Sequence, residues 1–483
     1  MLRYTGHPLV DVGVATIAAF VGKEDPATLT EADLDAIADY MAEHYIVNPL
    51  KSFLTVAFPN SGFTNPAFEG APQRRTAYAE RVLRAYKASV PRLEERCVFT
   101  GLPAVGWALK DGDDLPPGRA YRQHIPLLTG EGFINFFPEG HAGLPVSGEA
   151  MLALQALPLG CAKVAGRLLA VHSDDPALTL HFAAAFLEQN KRAILHARSV
   201  GDSKLADAGY WARTLLVDTL LRVEQERQRS GKGAQRLASL TAYHLTNSGQ
   251  GADLQIYHLP LEIMDFLRVA QSATYRVQWQ ALCQRGWEIT RAKRGQAQDA
   301  QPRYNVLYED LFQLPENAAE FIRCYFLRIP RRSRLPGDPS TGYSLLREAD
   351  IVFWPLTAQF LRKVVKMDET RIQHIRDLGD RLAEYVASQN DRRFFHTFMT
   401  ARRYDDIRLA LINASVAEVR RGRPPLVAFD PYIAIFEEGT DLPYADWRLA
   451  RDLVLIRMVE RLYALGWLKQ HAEELPELPE VLE

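Results

Sequence analysis

The stretch Leu237–Pro260, LASLTAYHLTNSGQGADLQIYHLP, decides how the chain is read. Two apolar runs carrying Leu, Thr, Tyr and Ile flank the polar NSGQGAD, which predicts a β-hairpin with a polar tip. Helical patterns surround it. Residues 149–198 and 203–229 repeat apolar side chains at helical spacing, the latter ending in VEQERQRSGKG. Further upstream, Thr28 or Thr30 can cap a helix whose apolar positions are Leu34, Ile37, Met41 and Tyr45. Between them, SFLTVAFPNSGFTNPAF and CVFTGLPAVGWALKDGDDLPPG are short apolar segments broken by Pro, Gly and Asn, read as strands and loops. Strands and helices therefore mix, and the expected class is α+β.

The C-terminal third reads differently. Ile372, Ile375, Leu378, Leu382 and Tyr385 form one helical stripe, and Tyr404, Ile407, Leu411 and Ala414 form another. The second stops at Arg420-Arg421-Gly422, with Pro424 beyond it. A last helix carries Leu449, Leu453, Ile456, Val459, Tyr463 and Trp467. Amphipathic helices joined by short loops make an all-α bundle. IPRRSRLPGDPSTG, residues 329–342, is the best linker, so the expected domains are a mixed, helix-rich 1–340 and a helical 341–483.

Composition bounds the function. A chain of 483 residues with 47% hydrophobic and 24% charged residues has the balance of a folded protein of more than one domain. Its net charge of -2 means that nucleic-acid binding would require basic residues gathered on one face. Cys97, Cys161, Cys283 and Cys324 are far apart, which argues against a disulfide framework and a CxxC metal site and for a reducing compartment. The apolar start MLRYTGHPLVDVGVATIAAFVG is interrupted by Asp11, so neither a signal peptide nor a membrane span is expected, and the chain reads as cytoplasmic.

Catalytic motifs are weak. FFPEGHAGLPVSG, residues 136–148, places Gly143 and Gly148 at P-loop spacing, but Glu149 stands where a lysine must reach phosphate. Ser147 lies in PVSGE rather than in a GxSxG elbow, and is read as an N-cap. His172, Asp174, Asp175 and His181 supply metal-ligand types, the alternative reading being a metal-dependent nuclease or phosphohydrolase. Asp174 or Asp175 before Pro176 reads equally well as a helix start, and this capping reading is preferred. No catalytic residue, metal or cofactor is assigned, and the chain is expected not to be an enzyme.

Arginine is more informative. RCYFLRIPRRSR holds Arg323, Arg328, Arg331, Arg332 and Arg334 among aromatics, and shorter basic runs lie at 291–294, 362–366, 392–393, 402–403 and 420–423. Arg331, Arg332 and Arg334 are assigned to phosphate contacts, each of which steepens salt dependence. Two loops add short amides and hydroxyls beside glycine, groups able to reach base edges. They are Asn60, Ser61, Thr64 and Asn65 in the first, and Asn247, Ser248 and Gln250 in the second.

YTGHPLVDVGVATIAAF, CVFTGLPAV, NFFPEGHAGLPVSGEAMLALQALPLG, GRLLAVHSDD and YHLTNSGQGADLQIYHLP follow one another over the first ~260 residues. This ordered set resembles the large subunit of the type I-B CRISPR surveillance complex, Cascade. The resemblance implies a non-catalytic subunit that recognises the protospacer-adjacent motif (PAM) in duplex DNA, helps open the duplex and holds the R-loop. Its implied partners are the CRISPR guide RNA, target double-stranded DNA, the backbone and handle-end subunits, the small subunit, and a recruited helicase-nuclease. Within that frame the two loops become the PAM-reading candidates. Some relatives carry cysteine pairs suited to zinc, which this chain lacks. The helical end of such subunits resembles the small subunit, and Met367 would begin a separately made segment of that kind.

Overall fold

The computed structural model describes all of the chain except residues 1, 110–114, 129–141, 230, 232–236, 248–250, 289–302, 329–347, 439–441, 472–474 and 476–483. The fold is α+β, and the C-terminal region is mainly helical. The chain divides into two compact units, Met1–Leu261 and Glu262–Glu483.

The first unit is built around the helix Pro8–Phe20, which is buried continuously from Leu9 to Ala18. Apolar side chains all round a helix make it a core element, which explains the leader-like look of this segment. Small residues let neighbours close on it. A Cβ at Gly13 would stand 1.9 Å from the carbonyl oxygen of Ala153, in the helix Gly148–Ala156. The long helix Pro176–Val200 also packs here, and Gly201 at φ 73 ends it in the left-handed conformation that glycine allows.

Beside these helices lies an antiparallel sheet in the order Ala162–Val164, Arg167–Ser173, Leu240–Thr246, Asp253–Leu259. The hairpin expected at 237–260 is present in its strands: Leu240 pairs with Leu259 and Thr246 with Asp253. Its last strand is mostly exposed, because it is the outer one. The segment 52–68 departs from expectation. It holds the helix Leu50–Leu54, the 3-10 turn Pro66–Phe68 and turns between them, not a strand. Phe53, Phe58 and Phe63 are core residues there, and the intervening Pro, Asn and Gly break any ladder-forming run.

The second unit begins well before the expected linker. Phe266, Phe321 and Phe360 share one aromatic cluster, with ring centroids 5.2 Å apart for Phe266–Phe360 and 5.1 Å for Phe321–Phe360. Asp265 pairs with Lys363 at 2.7 Å, and buried Arg328 with Glu348 at 2.7 Å. Residues 262–328 are thus bound to the chain beyond 348, so the units divide after Leu261 rather than near 340. A Pro-rich, charged segment signals a loop, and only packing tells whether the loop separates domains. Farther on, the helix Glu369–Gln389 packs along Trp447–Ala464, with Gly379 against Arg457 and an Arg457–Asp380 pair at 2.8 Å. Among the described residues, no helix is long and apolar enough to cross a membrane.

A candidate nucleic-acid interface

The two loops nominated from sequence meet in space. The Asn247 amide donates to the carbonyl of Val56 at 2.7 Å, and its Nδ2 reaches the carbonyls of Ala57 and Arg122, both at 3.3 Å. Arg122 returns a bond from Nη2 to the Asn247 carbonyl at 2.7 Å. Asn247 is fully buried. It is the rivet between the loops, which corrects the reading of its side chain as a base reader.

Ser61 and Thr64 are corrected in the same way. Both are buried; Thr64 Oγ1 donates to the carbonyl of Phe58 at 2.9 Å and lies 3.2 Å from Ser61 Oγ. Asn65, half-buried, uses Oδ1 to accept from Ala67 N at 2.9 Å and caps the Pro66–Phe68 turn. Short polar side chains satisfy local backbone groups first, and a buried hydroxyl left unpaired would be costly. Asn60 remains. It is exposed, at the apex of the first loop, with φ 59. Ser248 and Gln250 lie outside the described residues.

The surroundings supply positive charge that sequence reasoning missed. Gly62 is pressed against the Tyr78 ring, where a Cβ would come within 2.2 Å, so the loop lies on the helix Pro72–Leu83. Arg74 and Arg75 stand in the first turn of that helix; exposed Arg74 stacks over Phe68 at 4.9 Å. Arg122, half-buried, is the arginine bonded to Asn247.

The basic runs singled out from sequence behave differently. Arg331, Arg332 and Arg334 lie outside the described residues. Of the same run, Arg328 is buried against Glu348 and Arg323 sits 2.9 Å from Asp452, so these two are structural. Arg362 pairs with Glu369 at 2.6 Å, while Arg421 and Arg423 both reach Glu418. For these arginines the acids sparse within the run are supplied by neighbouring turns and elements; residues 291–294 lie outside the described residues.

The metal-type residues do not converge. His172 Nε2 meets Asp11 at 3.3 Å, Asp174 accepts from Ser239 Oγ at 2.8 Å, and Asp175 caps Pro176–Val200 while pairing with Arg227 at 2.8 Å. His181 Nδ1 lies 2.5 Å from the carbonyl of Ala177. Among the described residues, no group of three or more His, Cys, Asp or Glu side chains is placed to hold a metal ion.

What does gather is a structural knot at the start of the first helix. Asp11, 2% exposed, accepts from Thr5 N at 2.6 Å, Thr5 Oγ1 at 3.0 Å, Gly6 N at 3.0 Å and His172. Burial alone pushes its carboxyl up, and the bonds from His172, Thr5 and Gly6 outweigh that and hold it below its ordinary value. His7, with its ring against Phe99 at 4.8 Å, is pushed down by burial, with Asp11 opposing and His172 adding to the effect.

Ser147 is the expected N-cap, accepting from Ala150 N at 3.3 Å. Residues 136–141 of the glycine-rich stretch lie outside the described residues.

No family model matches the chain, and no curated protein matches it either.

Proposed function

We propose that this chain is the non-catalytic large subunit of a type I-B-like, CRISPR RNA-guided DNA surveillance complex acting in the cytoplasm. In this reading it recognises the PAM in duplex DNA, aids duplex opening, stabilises the R-loop and serves as the docking platform for a helicase-nuclease. Its companions are the guide RNA, the backbone and handle-end subunits and the small subunit. One observation carries the reading. Exposed Asn60 stands in a loop whose entry, at Val56 and Ala57, is bonded by buried Asn247; Arg122 bonds Asn247 as well, and Arg74 stacks over Phe68 where the loop ends. The exposed amide of Asn60 suits a base edge, and guanidinium groups suit phosphate. In such complexes the protein reads the PAM and the duplex geometry, while base pairing reads the target. Arg331, Arg332 and Arg334 are assigned to phosphate contacts. Met367 stands directly before the Asp368 cap of the helix Glu369–Gln389, so a small subunit begun there would start at a helix boundary.

The chain, tagged and co-expressed with its genomic neighbours, should pull down one RNA species and several copies of a smaller backbone protein. An RNA-free single protein with metal-dependent nuclease activity, lost in His172→Ala and Asp174→Ala, would defeat the proposal. A sharper variant is Asn60→Gly, which suits the left-handed backbone and removes only the amide. Its complex should lose about 10-fold in affinity for PAM-bearing duplexes, on the scale of one lost base contact, and keep its affinity for single-stranded target. Equal loss on both substrates would remove Asn60 from PAM reading.

A further inference from the structure

One corner of the second unit, where the chain enters the helix Tyr404–Arg420, gathers more guanidinium groups than carboxylates to match them. Asp452, 1% exposed, is met by Arg451 at 2.5 Å and by Arg323 at 2.9 Å. Arg451 also donates to the carbonyl of Ala401. These two arginines already exceed the one buried charge. Arg448 lies within electrostatic reach of the same carboxylate, yet it is exposed. It stacks over the Trp447 ring at 5.0 Å and reaches the carbonyl of Arg402 from Nη2 at 3.4 Å. Arg402 and Arg403 are exposed as well. Among the described residues Arg402 and Arg448 form no ion pair, and Arg403 has a 3.5 Å approach to Asp405 with the two side chains 77% and 75% exposed.

We propose that this corner binds single-stranded nucleic acid, with Arg402, Arg403 and Arg448 on its phosphates. Guanidinium groups with unspent donors are matched to phosphate oxygens in both charge and geometry. The Asp452 knot and the bonds to the Ala401 and Arg402 carbonyls hold the corner in place, so a strand meets it already ordered. Nearby acids do not cancel the surplus. Asp446 is held by Arg371 at 2.9 Å, and Asp406 turns to the cleft beside the helix Arg392–Thr400 with Leu409 and Asn413. Exposed Asp405 is answered by Arg403, and exposed Asp430 is outnumbered by Arg402, Arg408 and Arg448.

The aromatic neighbours favour a single strand over a duplex. Trp447 stands 5.8 Å from Tyr404, whose hydroxyl meets that of Tyr432 at 2.6 Å. One turn before Tyr432, at the start of the helix Phe429–Phe436, Phe429 is 73% exposed. Exposed Arg408 lies within electrostatic reach of Tyr432. An exposed ring beside arginines is a platform for an unpaired base, whose face a duplex keeps inside its stack. The inference rests on the nucleic-acid reading above and adds a grip in the second unit. It is read on the chain alone with a bare strand, so it can fail while PAM reading in the complex stands, and the reverse.

The test is fluorescence anisotropy of the purified full chain with labelled dT and rU strands of about 15 nucleotides, across a range of salt. Wild-type binding should weaken with salt by about 0.7 in log-log slope for each phosphate held. Arg402→Ala/Arg403→Ala/Arg448→Ala, at exposed positions, should keep its helical circular dichroism, lose at least ~10-fold in affinity and flatten the slope by about 2. Phe429→Ala should lose about 10-fold with the slope kept, because stacking releases no counterions. Arg420→Ala, about 24 Å away along the helix Tyr404–Arg420, is the control and should stay within about 2-fold of wild type. The tighter of the two strands tells whether DNA or RNA is held. A wild-type chain that binds neither strand overturns the proposal, and so does a triple variant that loses no more than Arg420→Ala. A Phe429→Ala chain that binds like wild type, or a matched duplex bound more tightly than either strand, overturns the assignment to a single strand.

Discussion

Asp11→Ala is expected to lower the stability of the first unit by about 3 kcal/mol or more, since several donors lose their buried acceptor at about 1–3 kcal/mol each. The substitution strips the acceptor from two backbone N–H groups, the Thr5 hydroxyl and His172 at once. Urea unfolding followed by circular dichroism measures it, as a fall in midpoint. The same carboxylate gives a pH signature. Its folded value lies below the ordinary 3.8, so its contribution is complete above that value and drains away as pH falls through the folded value. Acid unfolding of the wild-type chain should therefore include this group, and Asp11→Asn should lose that portion of the acid sensitivity. Asparagine also sets an NH2 group where a carboxylate oxygen had accepted, and should cost about 1–3 kcal/mol even at neutral pH. Unchanged stability in both variants would remove Asp11 from the centre of the fold.

Gly148→Ala should be comparably severe. A Cβ there would lie 2.0 Å from the carbonyl carbon of Ala85, 2.1 Å from its oxygen and 2.2 Å from Tyr86 N, all of them backbone atoms that no rotamer change can move away. Relief requires the helix Gly148–Ala156 to shift from the chain at Ala85, at about 3 kcal/mol or more, the upper range for overpacking. Gly70→Ala is the control, since nothing lies within 4 Å of its Cβ position. It should stay within about 0.5 kcal/mol of wild type. A loss in Gly148→Ala no larger than in this control would mean that the helix start is not held against Ala85. The glycine that made 136–148 look like a ligand loop thus acts by letting two stretches of backbone touch.

Much of the local structure was legible. Thr30, Ser147 and Asp175 are caps, and each follows from a short side chain standing just ahead of a helical run. The helix stopping at Arg420 with Gly422 beyond it, and the stripe from Ile372 to Tyr385, follow equally from neighbours a few positions apart. The hairpin was readable because a polar tip between two β-prone runs is a local signal.

The candidate site was only half legible. Residue types pointed to the loops at 60–65 and 247–250, but not to the bonds of Asn247 with Val56 and Arg122. Ser61, Thr64 and Asn247 carry the chemistry of a reader and the burial of a core residue. Which role a polar side chain takes depends on whether a backbone group stands within reach, and that group often belongs to a distant part of the chain. Several described members of the basic runs lost their apparent free charge for the same reason, as with Glu348 for Arg328 and Asp265 for Lys363.

The sequence alone determined the caps, the helical stripes, the hairpin and the α+β class, all of which depend on hydrogen bonds and side-chain periodicity within a few residues. Tertiary structure decided the boundary after Leu261, the Asp11–His172 knot, the bonds of Asn247 with Val56 and Arg122, and the arginines gathered at Asp452. These depend on which surfaces exclude water together, a property of chain segments brought into contact across long separations and invisible to any local window.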